Sequence, residues 1–132
     1  MAALAASGLL ALSACSGPDK PEDVALQYYT AFIHGDIEEA WDYIYVPPGA
    51  RGNQNATSQA HGKLRQMSDS AMEKIKEKGG VQSIRPLETR QIESGDEHQR
   101  LNVTLEITAN DGSTEREVVK LVMEGDKWKV DI

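Results

Sequence analysis

The chain has a single cysteine, Cys15, in 132 residues. No intramolecular disulfide can form, and a zinc ribbon or an iron–sulfur centre lacks its ligands. A basic excess is also missing: 14 Lys and Arg against 21 Asp and Glu leave a net charge of −7. That sign argues against nucleic acid, where binding rests on neutralising phosphates with cations, and against electrostatic docking on anionic lipid. The apolar run at residues 2–14 falls short of the roughly 20 residues that a bilayer-spanning helix needs. No His-Glu-x-x-His, Gly-x-Ser-x-Gly, phosphate loop or dinucleotide fingerprint occurs. His34, His61 and His98 are scattered without helical i, i+4 partners, and Glu93, Asp96 and Glu97 offer calcium too few oxygens in ordered spacing. No metal or cofactor is therefore expected. There is no internal repeat and no low-complexity tract.

What is present is ordinary for a folded protein: 39% hydrophobic and 27% charged residues. A chain this long suits one domain, burying roughly two thirds of its unfolded surface without disulfides or metal.

The amino terminus reads as an address. Residues 2–14 are apolar and uncharged, like the hydrophobic region of a secretory signal, although no Lys or Arg precedes them. They end in Leu12-Ser13-Ala14-Cys15, which resembles a bacterial lipobox: Leu, two small residues, then Cys. The resemblance implies a signal peptide over 1–14, cleavage before Cys15 and lipidation of Cys15. Ser16 in place of Asp implies sorting to the outer membrane, facing the periplasm. One acyl chain holds a protein only marginally and two or more hold it firmly. Residues 15–20 make a short anchored tether, and 21–132 the domain.

Pro21-Glu22-Asp23 starts a helix, since Pro suits the first turn and acids its positive end. Val24, Tyr28, Ala31 and Phe32 form its apolar face, and His34-Gly35 stops it. Asp36, with Glu39 as a capping box, predicts a second helix carrying Ile37, Ala40, Trp41 and Ile44, ended at Pro47-Pro48. After a polar loop over 47–58, Thr57 or Ser58 caps a third helix with a stripe of Leu64, Met67, Ala71 and Ile75, ended by Gly79-Gly80. The period then changes from 3.6 to 2. Val81–Ile92 predicts a strand that Pro86 confines to an edge or a bulge. Leu101, Val103, Leu105 and Ile107 alternate with polar residues, and Asn110-Asp111-Gly112-Ser113 is a hairpin turn. Val119, Leu121 and Met123 alternate in the next strand, and Trp128, Val130 and Ile132 in the last. Short turns require antiparallel pairing. The expectation is an α+β domain: three N-terminal helices packed on a curved four-stranded antiparallel sheet.

The step His34-Gly35-Asp36-Ile37-Glu38-Glu39-Ala40-Trp41, the Gly79-Gly80-Val81 link, Asp111-Gly112-Ser113-Thr114 and Gly125-Asp126-Lys127-Trp128 together resemble the uncharacterised lipoprotein branch of the nuclear transport factor 2-like superfamily, the cystatin-like cones. The resemblance covers nearly all of 19–132. It implies the fold and is nearly silent on function.

Tyr28, Trp41, Asp42 and Tyr45 are the residues that could line a pocket in the cone, with Asp42 as base and a Tyr as oxyanion donor in the sharpest reading. The plainer reading makes Trp41 core and Asp42 solvated. The leading expectation is a noncatalytic envelope lipoprotein that binds an envelope protein or a small apolar ligand. The alternatives are an isomerase- or hydratase-like enzyme using that Tyr/Asp pocket, and a structural or assembly factor at the outer membrane. Homodimerisation through the sheet face is a further expectation carried by the resemblance.

Overall fold

A computed structural model describes residues 20–93 and 98–132. The signal segment, Cys15 and the turn at Ser94-Gly95-Asp96-Glu97 lie outside the described residues.

Helix α1 spans Pro21–Ile33, with Pro at its start and Glu22 and Asp23 in its first turn. Its sequence buries Val24, Ala25, Tyr28, Tyr29, Ala31, Phe32 and Ile33, and it packs against all four strands. Gly35 ends the turn after it at φ +80°, where a Cβ would meet the Met72 Sδ at 3.0 Å. Glycine alone meets both demands without strain.

Helix α2 is shorter than the sequence predicts. It spans Ile37–Trp41, and Asp36 makes no side-chain capping bond. Ile44, expected on the helix, instead forms a parallel bridge to Val130. The Tyr45 N–H donates to the Val130 carbonyl and the Val130 N–H to the Tyr43 carbonyl, each at 2.7 Å. A sheet edge leaves backbone groups unpaired, and residues 43–45 satisfy one here. Ile44 is buried either way, so its spacing from Ile37 could not tell helix from strand.

Helix α3 spans Gln54–Glu77 and starts ahead of the expected cap. Asn53 is the cap, its Oδ1 accepting the Ala56 N–H at 3.1 Å. Only Leu64 and Ser68 of its residues are buried. The Ser68 hydroxyl donates to the Phe32 carbonyl at 2.6 Å, tying α3 to the last turn of α1.

Strands β1 (Val81–Ile92), β2 (Arg100–Ala109), β3 (Thr114–Glu124) and β4 (Lys127–Val130) form one antiparallel sheet in the order β1-β2-β3-β4. β1 is an edge strand with register shifts at Val81/Ser83 and Pro86/Glu88, where the Pro lacks a ladder donor. β2 alternates as predicted: Leu101, Val103, Leu105, Ile107 and Ala109 are buried and the residues between them are not. Burying each of the four larger side chains is worth about 1.5–3 kcal/mol. The β2–β3 hairpin is fastened to the end of α3: the Asn110 Nδ2 donates to the Gly79 carbonyl at 2.6 Å and the Asp111 N–H to the Lys78 carbonyl at 3.0 Å.

The core lies between α1 and the inner face of the sheet. The sequence places all three helices on the sheet. In the structure the α3 backbone runs closer to α1 and α2 than to the strands, and Leu64 joins the core with Ala71 and Ile75 packed against it.

Candidate functional site: the cleft between α3 and β3

Because α3 stands off the sheet, a cleft of about 1050 Å³ opens between α1, α3 and the first half of β3. Tyr28, Tyr29, Phe32 and Ile33 line it from α1, and Met67, Ala71, Lys74 and Ile75 from α3. Residues 115–120 of β3 and residues 130–132 close it. Of the four large apolar side chains exposed among the described residues, Met67 and Ile132 line this cleft, while Val118 borders it through the β3 backbone and turns its side chain to the outer face of the sheet.

The opening follows from a change of chemistry along β3. Val119 and Leu121 pair with Val103 and Leu101 on the inner face, and both are buried. Two positions back, Glu117 pairs with Leu105 and Glu115 with Ile107, also on the inner face. Carboxylates cannot fill a dry core unpaired, so the apolar packing stops there.

The polar groups of the cleft fall into bonded and unbonded sets. The Lys78 Nζ donates to the Glu115 Oε1 at 2.6 Å, and that bond holds the ammonium above the usual lysine range. Asp131 accepts from the Arg100 Nη1 at 2.7 Å. Glu117, Lys74, Arg116 and Lys120 have no hydrogen-bonded or ion-pair side-chain partner among the described residues. Of these, Lys74 and Glu117 face the cleft, while Arg116 and Lys120 turn to the outer face of the sheet.

Burial pushes the Tyr28 phenol up to about 12. Burial first, and then the charges of Glu117 and Glu115, raise Tyr29 as well. Both phenols are therefore neutral at physiological pH and serve as donors rather than bases. Neither hydroxyl has a hydrogen-bond partner among the described residues. The cleft can thus offer two phenolic donors, the Lys74 ammonium and an apolar floor to a bound group.

Of the residues singled out from the sequence, Tyr28 lines the cleft. Trp41 packs on the His61 ring at 5.3 Å, Asp42 is exposed beyond the end of α2 with its carbonyl accepting from the Lys129 Nζ at 3.0 Å, and Tyr45 meets the His98 ring edge-on at 6.0 Å. These three lie apart from the cleft because α2 stops at Trp41 and the following residues leave along β4. Lys74, Glu115 and Glu117 were not singled out. The signal for the two glutamates lay in the alternation itself: they share the parity of Val119 and Leu121.

Among the described residues, no three His, Asp or Glu side chains group to hold a metal ion, and no helix is long and apolar enough to cross a membrane. No curated protein matches the sequence. The fold is similar to that of a Campylobacter jejuni crystal structure described as a candidate NTF2-like transpeptidase, with a TM-score of 0.70 and 21% identity over 86% of this chain and 98% of that one. At that identity the likeness is one of fold: an α+β, nuclear transport factor 2-like architecture. Residues 13–131 match the profile of the family described as domain of unknown function DUF4878, and the chain belongs to that family.

Proposed function

We propose that this protein is a noncatalytic bacterial envelope lipoprotein, anchored through Cys15, whose domain binds its ligand or partner in the α3–β3 cleft. One observation carries the binding role. Two of the four exposed large apolar side chains among the described residues, Met67 and Ile132, converge on one concavity that α1 floors with Tyr28, Tyr29, Phe32 and Ile33. The lipobox-like Leu12-Ser13-Ala14-Cys15 supports the anchor. The isomerase- or hydratase-like alternative lacks its base, since Asp42 lies outside the cleft.

Native mass spectrometry of the full chain, extracted gently from its own envelope, tests both halves. The expected result is a covalent lipid mass that Cys15→Ser abolishes, together with a noncovalent mass lost when Met67→Asp is introduced into the cleft. An unlipidated chain overturns the anchor. A mass retained by the Met67→Asp variant overturns the cleft.

A further inference from the structure

The sheet has two faces, and the charges divide unequally between them. Val103, Leu105, Val119 and Leu121 are buried in the core, so the even-numbered residues of β2 and β3 lie on the outer face. Strand pairing carries this assignment to β1 and β4. Arg85 and Arg90 of β1, Arg100 of β2, Arg116 and Lys120 of β3, and Lys127 and Lys129 of β4 all fall on the outer face. The acids there are Glu88, Glu106 and Glu124, with Asp131 joined to Arg100 at 2.7 Å. One face thus holds seven of the 14 basic residues and four of the 21 acidic ones. A chain of net charge −7 carries a positive surface on one side.

Part of that face is already covered. Val122 is fully buried on it, and Arg51 from the loop ahead of α3 pairs with Glu124. The open part lies over β1, β2 and the first half of β3. At its centre is Val118, 52% exposed and opposite Thr104. Arg116 and Lys120 flank Val118 two positions away, and neither has an ion-pair partner among the described residues. Arg85 lies over Glu106 at 2.9 Å, and its side chain is 67% exposed against 17% for the acid, so the cation is the outermost charge of that pair. Arg90, also exposed, pairs with Glu88 along β1 at 3.1 Å. Cations on long apolar stems therefore surround an exposed valine.

Resting on the lipid anchor proposed above, we infer that the open part of this outer face docks on the anionic lipid surface to which Cys15 holds the chain. The tether is short: six peptide steps from Cys15 to Pro21 reach at most about 20 Å when fully extended. An anchored domain cannot leave the interface, and its faces compete only for orientation toward it. Orientation follows the distribution of charge rather than its sum, so the overall negative charge does not oppose docking by this side. The opposite side is repelled: α1 and α2 carry Glu22, Asp23, Glu38 and Glu39 and no Lys or Arg. The attachment point also suits the outer face. The Thr89 hydroxyl donates to the Glu22 carboxylate at 2.6 Å, which holds the start of α1 against β1, the strand that carries Arg85 and Arg90. Docking in this way turns the inner face, and the α3–β3 cleft with it, away from the lipid.

The test uses the lipidated full chain, one copy per lipid nanodisc, with a fluorophore on one introduced thiol. Val118→Cys places it on the outer face, and Glu73→Cys places it on the exposed side of α3. Cys15 is acylated in this chain, which leaves no second thiol. Quenching by a nitroxide on the lipid headgroup reads closeness to the membrane. In discs of phosphatidylcholine with phosphatidylglycerol, quenching at Val118→Cys should exceed that at Glu73→Cys by at least about threefold. About 1 M sodium chloride, where the Debye length is about 3 Å, should remove the difference. Arg116→Glu combined with Lys120→Glu should remove it as well. Should that variant fail to fold, Arg116→Gln with Lys120→Gln serves instead. Equal quenching at the two positions in anionic discs overturns the docking. A difference that persists in pure phosphatidylcholine or in high salt overturns its electrostatic basis. Protection of Val118→Cys that needs two copies per disc, or that appears only in native envelope fragments, assigns the face to a second copy or to an acidic protein and overturns the lipid. A chain that carries no lipid and attaches to neither kind of disc overturns the anchor and this inference with it, whereas an attached chain with no preferred face overturns this inference alone.

Discussion

Helices α1 and α3 are built from similar apolar stripes and do opposite jobs. α1 buries seven of its 13 residues against four strands; α3 buries two of its 24. On α1, Tyr28 and Phe32 stack at 5.8 Å within the core. On α3, Met67 holds an equivalent place in the stripe yet stays 40% exposed over the cleft. Periodicity reports which side of a helix is apolar. It does not report whether a neighbour lies close enough to cover that side. The difference is set by β3, whose inner face changes from Val119 to Glu117 where α3 passes over it.

The most direct way to break this comparison is to truncate one apolar side chain on each helix. Phe32→Ala should cost about 3–5 kcal/mol, as a buried aromatic leaves a cavity. Met67→Ala should cost under about 1 kcal/mol, since much of that side chain is already in water. Urea unfolding of the two variants checks both. Similar losses would mean that α3 is core after all and that the cleft does not exist in solution.

A second, smaller effect comes from pH. The Tyr28 phenol ionises near 12 in the folded chain against about 10 when unfolded. The folded state thus holds its proton longer. The stability this contributes is fully present below pH 10 and is lost as pH rises from 10 through 12. The shift of two units corresponds to at most about 3 kcal/mol. Thermal melts across that range should fall steeply for the native chain and more gently for Tyr28→Phe. Coincident curves would place Tyr28 in water, and the wall of the cleft with it.

Most of the fold was legible in the sequence, because most elements declare themselves through local chemistry. Pro21 with Glu22 and Asp23, the alternation from Leu101 to Ile107, and Asn110-Asp111-Gly112-Ser113 each specify an element within a few residues. Ile44 was not legible: four residues of helix and an edge bridge bury it equally well, and the choice rests on Val130, far along the chain. The start of α3 was missed for a different reason, since Asn53 and Thr57 are both competent caps and only the Ala56 N–H shows which one acts. The cleft was least legible of all. Its walls come from α1, α3 and β3, and its chemistry depends on the distance between them. Tyr28 was accessible as an aromatic on an apolar face, whereas Glu117 looks like a solvated charge until Leu105 is placed opposite it.

The smallest effect concerns the joint between the two helices. Ser68 is the one buried polar side chain among the described residues, and its hydroxyl donates to the Phe32 carbonyl at 2.6 Å, a group left over at the end of α1. Ser68→Ala removes that donor and leaves the carbonyl with the longer Gly35 N–H contact at 3.3 Å. The global cost should be about 1 kcal/mol. Its distribution should be uneven, because α1 remains held by four strands while α3 keeps Leu64, the partly buried Ala71 and Ile75, and its fastening to the β2–β3 hairpin. Amide exchange should therefore quicken along α3 and stay unchanged along α1. Equal quickening in both helices would show that they open as one cooperative unit, and that α3 is not a wall able to move independently over the cleft.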